Sequence, residues 1–564
     1  MIIPTDRADR ETLYSKLVKD CFRSRGDRKA RYDILRNWYL YGNGETQQCV
    51  EYNKLFAHID LLASFLFSGE TTSFVIEVPQ TDETIYPFEV EKANILTPRV
   101  NDFWHDSNTD IVFNDALNLA LVFDTMIIKY VPKGKGQFGS YTIRPYSFGV
   151  LREDVPTITD QEAMAHEFFM TESELRRKIQ YMSPEAQADI LSCLERPEDA
   201  EDKTLLPGGV QTLIINSTTP TTGEATGQVN INSILMNRFE PVIGENGITC
   251  YELWVYDDDL KDHRKVVMVN GEKILHDSEK NTFVHGEVPF VKLTPNGMDD
   301  YFWGRSELMY LIPLQEWVNI RVPQIKEILA KLADPPIAGW GLEEKMLEAL
   351  RYAGGVAHSS DPATMGKVEK YYPTGSSELF RELAEIKEMF NDVSGLSQIM
   401  KGGGEPGVRA MGHADMLAKL GASRAKKKAA ILEDAAEKYA TIILKAMQDY
   451  DDTHYRTEKG MAFIAKQLTD GAVVKVDAHS SSPIFIQEQK DTAAELFKTG
   501  CYDKEDLVDA MRVQNAEAVK AKIRDREAKE APLIQIKSLV ETAKDDEAVG
   551  ILAKLKKMFK PKGK

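Results

Sequence analysis

The stretch KGGGEPGVRAMG, from Lys401 to Gly412, sets glycines and a proline ahead of a helical pattern. Backbone amides exposed at such a place can cradle a phosphate, so nucleotide chemistry is the first question. A P-loop requires a glycine, four residues, then Gly-Lys-Ser/Thr, with the lysine on the terminal phosphates and the hydroxyl on magnesium. Gly402 and Gly407 have that spacing, but Val408 and Arg409 stand where Lys and Ser/Thr are needed. The nucleotide reading fails at those two residues. What survives is a loop of Lys401, Gly402, Gly403, Gly404, Glu405, Pro406 and Gly407, with Arg409 beyond it, able to touch phosphates without acting on them.

The other motif-like stretches give no stronger chemistry. Gly134, Gly136 and Gly139 spell a formal G-x-G-x-x-G but separate two strand-like runs. A dinucleotide fingerprint needs a strand before and a helix after, so a hairpin loop is expected instead. Asp257, Asp258 and Asp259 lack the glycine and terminal glutamate of a calcium loop. There is no G-x-S-x-G or H-E-x-x-H, and the ten histidines are scattered without ligand-like spacing. With 88 acidic residues, neighbouring carboxylates arise by chance, so an enzyme is unsupported and neither cofactor nor metal is expected.

Composition narrows the partners. A formal charge of −18 opposes nucleic-acid binding over the whole surface, because that binding is driven by neutralising phosphates. Any DNA contact must therefore be local. Cys21, Cys49, Cys193, Cys250 and Cys501 lie far apart with no C-x-x-C pair, which fits a reduced compartment and predicts packing residues. At 564 residues the chain exceeds one compact core, and 43% hydrophobic with 28% charged residues is an ordinary globular balance. No apolar run approaches the roughly 18 residues that span a bilayer, so no membrane partner is expected. The opening MIIPTDRADRETLY lacks the apolar core of a secretory signal, which predicts action where the chain is made.

Periodicity then places the elements. Arg7 to Tyr41 reads as helical and basic, with Leu13, Leu17, Ile34, Leu35 and Trp38 as an apolar stripe. Arg23, Arg25, Arg28, Lys29 and Arg31 read as its solvated face. NKLFAHIDLLASFLFSG predicts a helix to Gly69, SFVIEVP a strand stopped by Pro79, and Glu89 to Phe123 more helices. Strands return around Trp254 and Val267, joined by an acidic turn, and Asn270-Gly271 signals a second hairpin. A long helix is predicted from Ser306, a plausible N-cap with Glu307 in the first turn, to Leu332, with Pro313 and Pro323 predicting a kink or break. A second runs from Ser376 to Val393, with Leu379, Phe380, Leu383, Ile386, Phe390 and Val393 on one face. Val408 to Tyr450 reads as a rod of roughly 60 Å. A strand pair is expected around AVVKVDAH and SPIFIQ, then helices from Lys490 to Lys557.

At this point the chain resembles the portal proteins, the head-to-tail connectors of tailed double-stranded DNA bacteriophages. The resemblance rests on FWGRSELMYLIPLQEWVN (Phe302 to Asn319), similar to the Gly-x-Ser then Leu, Gln and Asn helix of many portals. It rests also on VSGLSQIMKGGGEPGVRAMGHADMLAKLGASRAKKKA (Val393 to Ala429) and on YNKLFAHIDLLASFLF (Tyr52 to Phe67). It implies an α+β, mostly helical subunit with wing, two-helix stem, clip and helical crown. By that likeness residues 1–300 are wing, 301–332 the first stem helix, 333–374 the clip and 375–394 the second stem helix. Residues 395–410 become a tunnel loop, 411–488 a long wing helix with return strands, and 489–564 a crown with a basic tail.

The same resemblance implies a closed ring of about twelve copies at the unique capsid vertex of a virion made in the host cytoplasm. Its partners would be itself, double-stranded DNA in transit, the large terminase, tail adaptors, and the major capsid and scaffolding proteins. A ring repeats every exposed charge once per subunit. Glu378, Glu382, Glu385 and Glu388 would then form an acidic wall that lets a phosphate backbone slide. Lys401, Arg409 and the cluster Arg424, Lys426, Lys427 and Lys428 are candidates for basic rings that grip in passing, with a solvated helix face as the plainer account of that cluster. The six tail lysines, Lys554 to Lys564, would touch packaged DNA or scaffold, or simply keep the end soluble. Another assembly protein, scaffold or tail adaptor, and a metal-dependent nucleic-acid-processing enzyme are the competing accounts.

Overall fold

The computed structural model describes the chain except residues 45–48, 70–71, 81–85, 135–136, 193–246, 279–280, 282, 284–285, 336, 340–343, 350–367, 371–375, 396–422, 458–459, 478–482, 512–518 and 526–564. Two units divide between Ser482 and Pro483. The fold is mixed α/β, with more residues in helices than in strands.

The N-terminal stretch forms not one helix but two, α1 (Arg7–Cys21) and α2 (Arg25–Tyr41). Asp6 caps α1 through the amides of Ala8 and Asp9, and Gly42, at φ +71°, ends α2 in the left-handed region. Next come α3 (Lys54–Leu66), β1 (Phe74–Glu77), α4 (Tyr86–Asp106) and α5 (Thr109–Phe123). A hairpin, β2 (Met126–Gly134) with β3 (Gln137–Ile143), follows where the three glycines pointed to one. Then β4 (Phe148–Val150), β5 (Ala163–Thr171), α6 (Glu172–Ile179), α7 (Pro184–Ser192), β6 (Gly247–Asp257), β7 (Asp262–Val269), β8 (Lys273–Asp277) and β9 (Phe290–Leu293) complete the strand-rich part.

An arm follows, made of α8 (Ile312–Ala333), β10 (Ile337–Gly339), α9 (Glu344–Ala349), β11 (Val368–Lys370) and α10 (Ser376–Ser394). The chain then continues through α11 (Ser423–Tyr450), β12 (Tyr455–Arg456), β13 (Ala462–Phe463) and β14 (Val473–Val476). In the second unit, α12 (Pro483–Thr499) and α13 (Lys504–Met511) pack together across a turn at Gly500.

Strands β4 to β8 form an antiparallel meander in chain order, and β9 adds to the hairpin in the order β3-β2-β9. Alternation along the meander serves two cores. On one face Ala163, Ala165, Leu253, Val255, Val266 and Met268 pack under Tyr14, Leu17, Val18 and Cys21 of α1. On the other, Met170, Cys250, Val267, Val269 and Leu275 pack under Leu175 and Ile179 of α6 and Ile190 of α7. A capping box of Thr171 and Glu174 starts α6 straight out of β5.

Helix α11 threads the rest of the body. Its buried Ala429, Leu432, Ala436, Tyr439, Ala440, Ile443 and Met447 recur at helical spacing, and the alanines let neighbouring elements approach closely. Tyr439 joins Trp104 and Phe113 in an aromatic cluster and donates to Ser140 Oγ at 2.7 Å. Strand β14 pairs antiparallel with β1, four residues against four.

Several expectations need correction. The SPIFIQ run is helical, because Pro483 opens α12, a position where its missing N–H has no partner to lose. The basic face of α2 is not simply solvated. Arg25 pairs with Glu167 at 2.6 Å, Arg28 stacks 3.8 Å over the Trp303 ring, and Arg31 pairs with Asp124 at 2.9 Å. Cys21 and Cys250 are packed as expected, whereas Cys49 and Cys501 are exposed and Cys193 lies outside the described residues. Asp257 pairs with Arg264 at 3.2 Å and Asp258 with the N-terminal amine at 2.7 Å, so their charges are used inside the fold.

Candidate functional site

The arm is held at its root by FWGRS, Phe302 to Ser306. Phe302 and Trp303 are fully buried, and the Trp303 indole donates to Glu153 at 2.8 Å. Gly304 has no room for a side chain, since a Cβ there would lie 2.5 Å from Thr294 Cγ2 and 2.7 Å from the Asn296 carbonyl. Its amide donates to Thr125 Oγ1 at 3.0 Å. Ser306 Oγ donates to the Val122 carbonyl at 2.5 Å and accepts from the Leu308 amide at 3.1 Å. The serine therefore caps the next turn and also ties it to the end of α5.

That turn, Glu307–Tyr310, is 3-10, and the α-helix begins only at Ile312. The single helix expected from Ser306 is thus two pieces, because Pro313 sits in the first turn of α8, where a proline starts a helix rather than bending one. Pro323 lies inside α8 without ending it.

A second tie lies one turn into α8. Gln315 is fully buried, accepts from the Lys54 amide at 2.9 Å, and donates to the Tyr52 carbonyl and Asn319 Oδ1, each at 2.8 Å. Asn319 passes the chain on to the Gly42 carbonyl at 2.7 Å. These amides satisfy backbone groups that the starts and ends of α2 and α3 leave open. Lys54 also lies over the Phe390 ring of α10, 4.5 Å from its centre, and Arg321 of α8 pairs with Glu382 of α10 at 2.9 Å. The start of α8 and the end of α10 meet the same residue, so the two helices run antiparallel. Beyond them, β10 and β11 pair antiparallel, Ile337 opposite Lys370 and Gly339 opposite Val368.

The arm exposes one acidic stripe and several separate apolar side chains. Glu378, Arg381, Glu385, Glu388 and Asp392 recur at three- and four-residue spacing along α10 and are all exposed, four carboxylates against one guanidinium. Glu385 shares its charge with Arg381 at 3.2 Å. Glu382 is half-buried on the Arg321 side, off this stripe. Large apolar side chains are exposed as well: Met309, Tyr310, Trp317, Ile320, Leu329, Phe380, Met389 and Val393 are 37% to 58% exposed, with Phe380 and Met389 on opposite sides of α10. Phe380 and Val393 flank the packed line of Leu379, Leu383, Ile386 and Phe390 instead of joining it.

The basic cluster at the start of α11 is divided between side chains tied to the arm and side chains left at the surface. Lys428 donates to Glu307 Oε2 at 2.5 Å, Asn296 donates to the same oxygen at 2.9 Å, and His58 Nε2 lies 3.6 Å from the other oxygen. Burial pushes the Glu307 carboxyl upward, but the His58 imidazole and the Lys428 and Asn296 contacts outweigh it and hold the pKa at about 2. Arg424 donates to the Val393 carbonyl at 3.0 Å, closing the end of α10 where cationic groups are favoured. Lys427 is exposed, and Lys426 is half-buried. Of the four candidates, two are therefore structural ties between α11 and the arm.

Of the four glutamates expected on an acidic wall, Glu378, Glu385 and Glu388 lie on one exposed face of α10, while Glu382 turns to Arg321. Lys401, Gly402, Gly403, Gly404, Glu405, Pro406, Gly407 and Arg409 lie outside the described residues, as do the tail lysines. The contributions of His58 and Lys54 were missed, and no local signal could have found them, since their partners are hundreds of residues away. Among the described residues no helix is long and apolar enough to cross a membrane, and no group of side chains could hold a metal ion. No protein-family model matches the chain, and no curated protein matches it.

Proposed function

We propose that this chain is the repeating subunit of a portal ring, the connector at one vertex of a tailed-phage capsid through which double-stranded DNA is packaged and ejected. The observation that carries this reading is the antiparallel pair α8 and α10, rooted in a mixed α/β body and followed at its far end by the small β10–β11 pair. In that role residues 1–300 with much of 411–488 form the wing, 301–332 and 375–394 the stem, and 333–374 the clip. Terminase and tail adaptors dock at the clip, and residues 489–564 form a crown near capsid and scaffolding proteins.

Ring closure gives the acidic stripe and the exposed apolar side chains a use. Eight large apolar side chains exposed in one subunit need a neighbour, and a second copy supplies it. The carboxylate stripe of α10 becomes a continuous acidic wall, which repels phosphates and keeps the duplex from sticking. The channel performs no chemistry, so ATP hydrolysis belongs to a separate terminase. Sedimentation and native mass measurement of the purified full chain test this directly. A mass near twelve times the 63.6 kDa subunit is expected, without magnesium-dependent ATPase or nuclease activity. A monomer, or an activity abolished by replacing a single acid, contradicts it.

A further inference from the structure

A cavity of about 770 Å³ opens on the α6 face of the meander, walled on one side by the β2–β3 hairpin. Its lining is largely apolar, with Val131, Ile143, Phe168, Met182, Val267 and Leu275. Set into that lining are three lysines, Lys129, Lys178 and Lys265, two histidines, His166 and His276, and one acid, Glu252.

The acid is fully used. Glu252 Oε2 accepts from Lys129 at 2.7 Å, while Oε1 accepts from the Trp254 indole at 3.0 Å and lies 3.5 Å from Lys265. One carboxylate thus answers two ammonium groups, and Lys178, on the last turn of α6, forms no ion pair among the described residues. Lys129 Nζ also lies 3.3 Å from His166 Nδ1. Burial, then the Lys129 charge, depress His166 to about 3, so its ring is neutral, accepts at Nδ1 and offers Nε2–H as a donor. Lys129 and Lys265, with side chains 12% and 24% exposed, share a single carboxylate while Lys178 reaches the rim from an exposed position, and a second anion relieves the cost of the unmatched buried charge.

We propose that this cavity binds an amphipathic monoanion, an apolar chain or ring carrying one carboxylate, with the carboxylate among Lys129, Lys178 and Lys265 and the body along Val131, Ile143 and Phe168. A single charge fits because Glu252 already occupies the cationic corner and repels a polyanion. The same chemistry comes from a free small carboxylate or from the C-terminal carboxylate of an apolar peptide. The proposal does not depend on the ring.

The test is calorimetric titration of the full-length protein with octanoate, octanol, and an apolar peptide in free-acid and amidated forms. Saturable binding at one site per subunit is expected for octanoate or the acid peptide, at least tenfold weaker for the uncharged counterpart. Tighter binding of the peptide identifies a chain terminus as occupant, and tighter binding of octanoate a small carboxylate. Lys178→Gln, at an exposed helical position, should weaken binding at least tenfold without altering the melting temperature, and Thr142→Trp should fill the cavity and abolish it. Equal affinity for charged and uncharged probes, no saturable binding of octanoate or acid peptide, or undiminished binding in both variants overturns the proposal.

Discussion

Glu307 Oε2 lies 2.5 Å from Lys428 Nζ, and this one contact joins the foot of the arm to α11 across 121 positions of sequence. Both side chains are nearly buried, at 11% and 14% exposure, so neither charge can fall back on water. The foot of the arm is therefore tied to α11 by a near-buried charge pair, beside the Arg424 contact to the Val393 carbonyl.

Glu307→Gln leaves Lys428 buried without its counter-charge and should destabilise the first unit by about 3 kcal/mol. Combining it with Lys428→Met removes both buried charges and should restore most of the loss. Urea unfolding of the three variants measures this, and equal losses in the single and double variants would show that the pair is not coupled.

The same carboxylate predicts a pH window. Its folded pKa of about 2 lies below the ordinary 4.5, so its contribution is fully present above about pH 4.5 and is lost as pH falls towards 2. The difference in stability between wild type and Glu307→Gln should hold steady from pH 7 to 5 and narrow by about 3 kcal/mol below that. A difference that stays constant down to pH 2.5 would contradict the assignment.

Ile320→Glu and Phe380→Glu place charge at exposed apolar positions of the arm, one on α8 and one on α10, while leaving the packed line of Ile386 and Phe390 intact. Both variants should fold with wild-type circular dichroism yet sediment as subunits or small fragments of a ring. Rings that survive both changes would place the subunit interface elsewhere.

Replacing Glu378, Glu385 and Glu388 together by lysine converts the exposed stripe of α10 from acidic to basic. Assembled rings should then bind double-stranded DNA at least tenfold more tightly, with a steeper dependence on salt. Fluorescence anisotropy across a salt series reads both quantities. Unchanged affinity and slope would mean that the stripe faces away from the duplex.

Much of the arm was legible because local rules decide it. Periodicity marked Ser376 to Val393 as a helix, and Ser306 followed by Glu307 marked a cap. Glycines between strand-like runs marked the β2–β3 hairpin. Long-range pairing was not legible. The arginines of α2 looked like a solvated face because Glu167, Trp303 and Asp124, which hold them, are 93 to 275 positions away. Lys428 looked like part of a solvated face, or at most a DNA contact, for the same reason. SPIFIQ looked like a strand because its isoleucines and phenylalanine favour one, whereas Pro483 at the first helical position decides otherwise.

Copies of this chain are expected to close into a ring around a DNA-sized hole. Rotational averaging of end-on images of the purified full-length particle tests it most directly. About twelvefold symmetry with a central channel open from end to end is expected. A sixfold ring, a closed particle or a monomer would contradict it.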